Sequence, residues 1–389
     1  MYRSKAFVVI IFFLVVRQGL AQEEMNSTVV ENRSYQLYLE KKWDALIPFG
    51  LKAIREGYEY FYLCQRLGIA YYEKGQFRLA SIQLEKALDF NSFNELTQEY
   101  CYYSLIFSNR FDEARKLSES FGERLSTKIN KPSWSPVDFV SAEGGLKISS
   151  RSDLFNPGFY FQAGLGHTVK NRFSLYHAAT VYNQSESRGK ISQVQYFIQA
   201  GIPLGRQWTL TPSVHLVYLN FKKNNGLLRS TDLVGSLSLT RAFPYFDVSI
   251  GGTVSDVLST LQYIQQSRLA IYPSGKPNFS LGAISYIHSE DNFISSTLAL
   301  NPFVYWSPGS KVKLYANYFV NKNENIVELN GYLINNSHDL TLSRTSVTLS
   351  LSLNTHWDVY GNYQFESKQQ SNSLTYSYNV FLMGIKFKP

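Results

Sequence analysis

The chain has little of what most enzymes and nucleic-acid-binding proteins display. Beyond residue 21, no stretch approaches the about 20 consecutive apolar residues that a membrane-spanning helix needs, so no such helix is expected. Only 17% of the residues are charged, and the formal charge of +8 is too mild for a nucleic-acid footprint. Six histidines (His167, His177, His215, His288, His338 and His356) are scattered without metal-ligand spacing. There is no glycine-rich phosphate loop, and no cofactor is expected. Cysteine occurs twice, as Cys64 and Cys101. An oxidising compartment permits a bridge between them. Cysteine is also an ordinary small buried apolar residue, and these two occupy non-equivalent positions of the repeats described below.

What is present starts with a leader. Arg3 and Lys5 precede an apolar run, Ala6–Val16, and Gly19-Leu20-Ala21 reads as a small-residue cleavage site, so 1–21 is expected to be a signal peptide. Gln22 in place of cysteine argues against a lipoprotein. Residues 22–136 carry 15 Lys+Arg against 16 Asp+Glu, whereas 137–389 carry 20 against 14. The basic excess gathers near turn residues: Lys170, Arg172, Arg206, Arg241, Lys276, Lys311, Lys313, Lys386 and Lys388. A rim of cations facing phospholipid head groups is the plain reading, and an anion-attracting pore mouth the sharper one.

From Val137 to Phe387 apolar residues recur at every second position between regularly spaced turns. In Arg344–Asn354, Val347, Leu349, Leu351 and Leu353 share one phase, and Ser346, Thr348, Ser350 and Ser352 the other. Successive side chains of a strand point to opposite faces, so one face is apolar and the other polar. Fourteen such strands, or twelve if the Val254–Ser259 connection is no turn, predict an antiparallel up-and-down barrel over 137–389. Its apolar side would face lipid and its polar side a lumen. A soluble sandwich would alternate too, but would need no aromatic belts. Short inner turns and longer outer connections, such as Phe221–Ser230, Val320–Thr341 and Ser367–Ser373, are expected. Trp208, Phe243, Tyr245, Tyr272, Trp306 and Trp357 would form an inner girdle, with Tyr182, Phe221 and Phe365 on the outer side. A terminal aromatic, Phe387, resembles the assembly signal of outer-membrane proteins.

Asn130–Pro136 reads as a linker, and residues 22–129 before it are helical in pattern. Leu67, Gly68, Tyr71, Gly75, Ala80, Leu84 and Ala87 follow Phe61 at set intervals, and Trp43, Phe77 and Phe111 are each 34 residues apart. This resembles the tetratricopeptide repeat, a 34-residue helical hairpin, with about three repeats over 27–128. The fold class is thus α + β in two domains, a tetratricopeptide-like solenoid followed by a barrel. The resemblance implies that a partner binds along the first helices, through Tyr62, Gln65, Ile69, Tyr72, Leu96, Glu99 and Tyr103.

The polar phase places Gln195, Gln199, His215, Asp247, Gln262, Arg268, Asn362 and Gln364 in the lumen. If the seventh and eighth strands centre their turn near 257–258, Asp247 lies across from Arg268 and pairs with it. An amide- and hydroxyl-rich, nearly neutral lining with Tyr360 suits a carbohydrate, in a narrow or partly plugged channel. His288-Ser289-Glu290-Asp291 is the nearest thing to a catalytic set. Outer-membrane lipases and deacylases place His and Ser on alternate positions of a strand; here the two are adjacent and face opposite ways, so no enzyme is expected. The layout resembles outer-membrane exporters of the PgaA type, which join a periplasmic repeat domain to a barrel. That implies a transport or export barrel in the bacterial outer membrane, in contact with lipid. Its periplasmic repeats would dock a protein or polysaccharide, and no nucleic acid. A non-conducting assembly or anchoring protein for the repeats is the alternative, and an outer-leaflet lipid hydrolase a third reading behind it.

Overall fold

The computed structural model describes residues 25–129 and 137–389, apart from 171, 206, 224–225, 258–259, 291–294, 322–325, 335–338 and 371–372. The leader, the Asn130–Pro136 linker, Arg206, Asp291 and His338 lie outside the described residues. Among the described residues there are seven helices: α1 (Ser27–Leu39), α2 (Trp43–Arg55), α3 (Phe61–Glu73), α4 (Phe77–Phe90), α5 (Glu95–Phe107), α6 (Phe111–Ser118) and α7 (Glu123–Lys128). Asn26 caps α1 by accepting from the Val29 amide at 2.9 Å, and Asn94 does the same for α5 through Thr97. The first six helices form three hairpins. Their turns each contain a residue in the left-handed region, Lys41, Gly75 and Asn109, 34 positions apart. At Gly68 a Cβ would lie 2.4 Å from Leu84 Cγ, so α3 and α4 meet at a distance only glycine allows. Leu63, Leu67, Ala70, Ala80, Leu84 and Ala87 are buried in this helical domain. Cys64 and Cys101 are separate, buried thiols. Burial pushes the Cys64 thiol up to about 12.

The remaining strands are β1 (Phe139–Ser149), β2 (Gly158–Val169), β3 (Phe173–Glu186), β4 (Gly189–Gly205), β5 (Trp208–Lys223), β6 (Gly226–Ala242), β7 (Phe246–Val257) and β8 (Thr260–Ile271). They continue with β9 (Phe279–Glu290), β10 (Ser295–Trp306), β11 (Val312–Val320), β12 (Val327–Glu328), β13 (Leu333–Ile334), β14 (Leu340–Ser352), β15 (Trp357–Gln369) and β16 (Thr375–Phe387). All but β12 and β13 join one closed antiparallel barrel of fourteen strands, sealed where β1 pairs with β16. β7 and β8 are distinct strands, so the twelve-strand count does not hold. Closure leaves no unpaired edge, which is what a sheet needs in order to stand in hydrocarbon. The outer face is apolar, with Leu237, Ile250, Leu298, Val347, Leu349, Leu351 and Phe381 exposed.

The helices sit at one end of the barrel, called inner here. Three outer connections, after β3, β5 and β7, span only two residues each between strand ends, as short as any inner turn. The expected contrast of short inner and long outer connections therefore fails for three of the seven outer connections. Strands β5 and β6 instead continue as a paired ribbon to Lys223 and Gly226, where Phe221–Ser230 was expected to be a loop. The aromatic belts also need correction. Tyr245, Trp306, Trp357 and Phe365 face outward and are exposed. Tyr182 and Phe221 line the interior instead, and Tyr272 turns in to bond Asp247.

Candidate functional site

The lumen is built from inward-facing residues whose phase the strands fix. Gln193, Gln195, Gln199, Ser213, His215, Ser236, Ser238, Gln262, Gln266, Asn362 and Gln364 share that phase. Gln262 is wholly buried, and His215 Nε2 lies 3.0 Å from the Gln195 amide oxygen. Asn362 donates to Ser346 and Thr348 on the neighbouring strand, and Gln364 to Asn362.

The expected Asp247–Arg268 pair does not form. Asp247 lies opposite Ala270, and Arg268 opposite Ser249, two positions out of step. The β7/β8 turn centres later than 257–258, which shifts the register while keeping both side chains on the inner face. Arg268 lies over the Phe303 ring at 5.1 Å, whereas Asp247 receives Arg78 of α4 and the Tyr272 hydroxyl. Arg78 also donates to the Phe243 carbonyl at 2.6 Å and stacks on Tyr272 at 4.2 Å.

Arg78 is part of a wider seam between helices and inner turns. Ser174 donates to Asp112, Lys116 to the Pro203 carbonyl, and Gln207 to Glu113 and Glu85; Arg115 meets Thr168. Burial pushes the Glu85 and Asp112 carboxyls above the usual carboxylate range. It opposes the Arg110 charge too, but Glu85 and Glu113 outweigh that and raise its pKa. All these contacts come from α4, α6 and the turn before α6. The first helices of the hairpins carry the residues expected to bind a partner. On them Tyr62 and Leu96 are exposed, and Glu99 pairs with Lys128. Gln65 and Ile69, expected on the binding face, are buried: Gln65 bonds Asn94 and Thr97, and Ile69 packs in the hairpin core. Tyr72 packs edge-on against Tyr100 and Phe77, and Tyr103 stacks on Phe107.

One structure in the lumen went unexpected: the hairpin β12–β13, within residues Ile326–Ile334 of the long connection between β11 and β14. Its sequence, Ile-Val-Glu-Leu-Asn-Gly-Tyr-Leu-Ile, carries Asn330-Gly331 between apolar residues, a strong hairpin signal. The segment folds inward instead of outward. Its tip reaches β5, with Ser213 donating to the Asn330 carbonyl and His215 Nδ1 lying 2.7 Å from the Gly331 carbonyl. On β8, Gln266 bonds Asn330 twice, and on β9 the Leu329 amide donates to Tyr286. The Tyr332 hydroxyl donates to Gln162 of β2 at 2.8 Å. In the barrel order β2 and β9 lie seven strands apart, half the circumference, so the hairpin crosses the full width. Glu328, with no exposed surface, accepts from Arg344 at 2.7 and 2.8 Å. Ile326, Val327 and Ile334 pack against Ile264, Ile284, Tyr286, Phe303 and Phe319, filling one side of the lumen.

The other side holds a cavity of about 660 Å³ that reaches the outer rim at Ser187, Arg188 and Gln370 and is bounded on the hairpin side by Leu329, Tyr332, Leu333 and Ile334. Its lining balances in sign but carries more charge than expected: Glu143, Lys147, Glu186, Arg344, Glu366 and Lys368 all contribute. Lys147 and Lys368 share Glu366, at 3.4 and 3.7 Å. Each of these charges has the phase of the amides beside it: Lys368 follows Gln364 and Glu366 at steps of two, so phase alone could have found it. At the outer end of β9, His288 and Ser289 face opposite ways; His288 lies 3.6 Å from Glu290, and Ser289 bonds Ser296.

No protein family matches the sequence, and no curated protein resembles it. Among solved structures, the chain is similar to the CymD monoaromatic hydrocarbon channel, at 9% identity and a TM-score of 0.46, over 66% of this chain and 89% of that one. It is also similar to a Pseudomonas aeruginosa FadL homologue (8%, TM-score 0.43, 64% and 89%) and to the NanC porin (13%, TM-score 0.34, 64% and 100%). The fold assignment rests on the strand pairing of this chain itself.

Proposed function

We propose that this protein is a transport barrel of the bacterial outer membrane whose lumen is occluded by its own hairpin, with the helical domain on the periplasmic side. The observation that carries the reading is the combination of a closed cylinder, apolar outside, with a cavity that reaches the outer rim and is bounded by a tethered segment. A barrel serving only as an anchor needs no such cavity. The three helical hairpins act as a short tetratricopeptide-like array. They dock on the barrel by their second helices and leave Tyr62, Leu96 and the Tyr103 edge to a periplasmic protein or polysaccharide. Buried Gln65 and Ile69 hold the hairpins together and take no part.

Planar-bilayer recording tests the reading. The parent should conduct poorly, and replacing 326–334 by a glycine-serine segment should give stable open channels. The alternative, a non-conducting anchor, is favoured by the apolar packing that fills half the lumen, and absence of conductance in the hairpin-less barrel would decide for it.

A further inference from the structure

The cavity beside the hairpin has two unlike walls. On one, Ile191, Leu219, Phe221 and Leu228 from β4, β5 and β6 present a largely apolar surface near the outer end. On the other stand Lys147, Arg344, Glu366 and Lys368. The walls are opposed: β5 lies seven strands from β14, which carries Arg344, and β6 seven strands from β15, which carries Glu366 and Lys368. We propose, building on the transport reading, that this vestibule binds a small neutral amphiphile, its apolar body on the β4–β6 wall and a hydroxyl or carbonyl end on the ionic wall.

Each competing class of ligand fails on one wall. A sugar carries hydroxyls around its whole ring edge, and four neighbouring aliphatic and aromatic side chains would leave several of them without partners. A hydrocarbon would cover the ionic wall and strip its water without returning a hydrogen bond. An anion would need an unbalanced cation, and the lining carries Lys147, Arg188, Arg344 and Lys368 against Glu143, Glu186, Asp339 and Glu366, four of each sign. The volume, about 660 Å³, lies in the range of small-molecule sites. One polar group interrupts the apolar wall: Gln193, directly across from Leu219, whose buried amide nitrogen has no hydrogen-bond partner among the described residues. It supplies a donor beside the apolar body of such a ligand.

The test uses the full chain in lipid nanodiscs, with 4-propylphenol, propylbenzene and maltotriose as probes. Binding is read by saturation-transfer NMR after subtracting empty nanodiscs. Propylphenol should bind tighter than propylbenzene, and maltotriose should not displace it. Phe221→Ala, at the outer end of β5 where refolding is least at risk, should weaken propylphenol about tenfold by removing apolar contact. Lys147→Met should erase the preference for propylphenol over propylbenzene. Displacement by maltotriose, equal binding of the two aromatic probes, or indifference to Phe221→Ala would each overturn the proposal. Conductance of the hairpin-less barrel, recorded on the same preparation, reports on transport separately: open channels with no probe binding would refute the ligand class alone.

Discussion

Replacing Arg344 by alanine removes the one charge-assisted tether of the hairpin among the described residues and leaves Glu328 without its partner, at 0% side-chain exposure. The remaining polar tethers are neutral hydrogen bonds to Ser213, His215, Gln266, Tyr286 and Gln162, each contributing about 1 kcal/mol net, beside the apolar packing of Ile326, Val327 and Ile334. Stranding one member of a buried ion pair costs about 3–5 kcal/mol. That is comparable with all the neutral tethers together, and it shifts the ratio of docked to undocked hairpin by roughly two to four powers of ten. Arg344→Ala should therefore raise mean conductance in planar bilayers and admit large antibiotics into cells that carry it. Glu328→Gln should do the same to a smaller degree, since an amide still bonds the guanidinium. The pair Glu328→Leu with Arg344→Met, which removes both charges and keeps the volume, should return conductance toward the parent. Parent-like conductance in Arg344→Ala, alongside open channels in the hairpin-less barrel, would show that the ion pair does not hold the hairpin.

Other measurements bear on the helical domain. Arg78→Ala strands Asp247 at the inner rim, and by the same reasoning should loosen the domain by about 3–5 kcal/mol; faster release of residues 25–129 by limited proteolysis, with the barrel intact, is the expected readout. Gly68→Leu must push Leu84 aside, since even a Cβ would come within 2.4 Å of it; the helical signal at 222 nm should melt at a lower temperature, with about 1–3 kcal/mol lost. Burial raises the Asp112 and Glu85 carboxyls in the folded state, so their contribution to docking is full below the ordinary carboxylate pKa and is lost as pH rises through the raised values. Docking should accordingly tighten as pH falls from 7 toward about 4, and Asp112→Asn should flatten part of that slope in protease-protection assays.

Much of the architecture was legible. Alternation in Arg344–Asn354 placed Val347, Leu349 and Leu351 outward, as found, because a pleated strand admits no other arrangement. The phase that put Gln195, His215 and Asn362 inside applied equally to Lys147, Arg344 and Lys368. Reading the lining as neutral overlooked charges that lay near turns. Tyr182 and Phe221 were assigned by their place near strand ends, although their phase matches Gln184 and Leu219, which face inward. The Asp247–Arg268 register depended on a turn centre that sequence locates only to within a residue or two, and one such slip separates a pair. The inward course of Ile326–Ile334 follows from burying Ile326, Val327 and Ile334 against residues far away in sequence, which no local pattern reports.

The seam at which β1 meets β16 sets the order in which this molecule can assemble. Val140 pairs with Phe387, so the ring cannot shut until Phe387 is in place. The helical hairpins need only neighbours about 34 residues away and can form as soon as their own segment is released. The amino-terminal helices are thus ready-made before a rim exists to receive them. Arg78 must wait, exposed, for the turn that carries Phe243 and Asp247, and mating of the two halves comes as a late step in maturation.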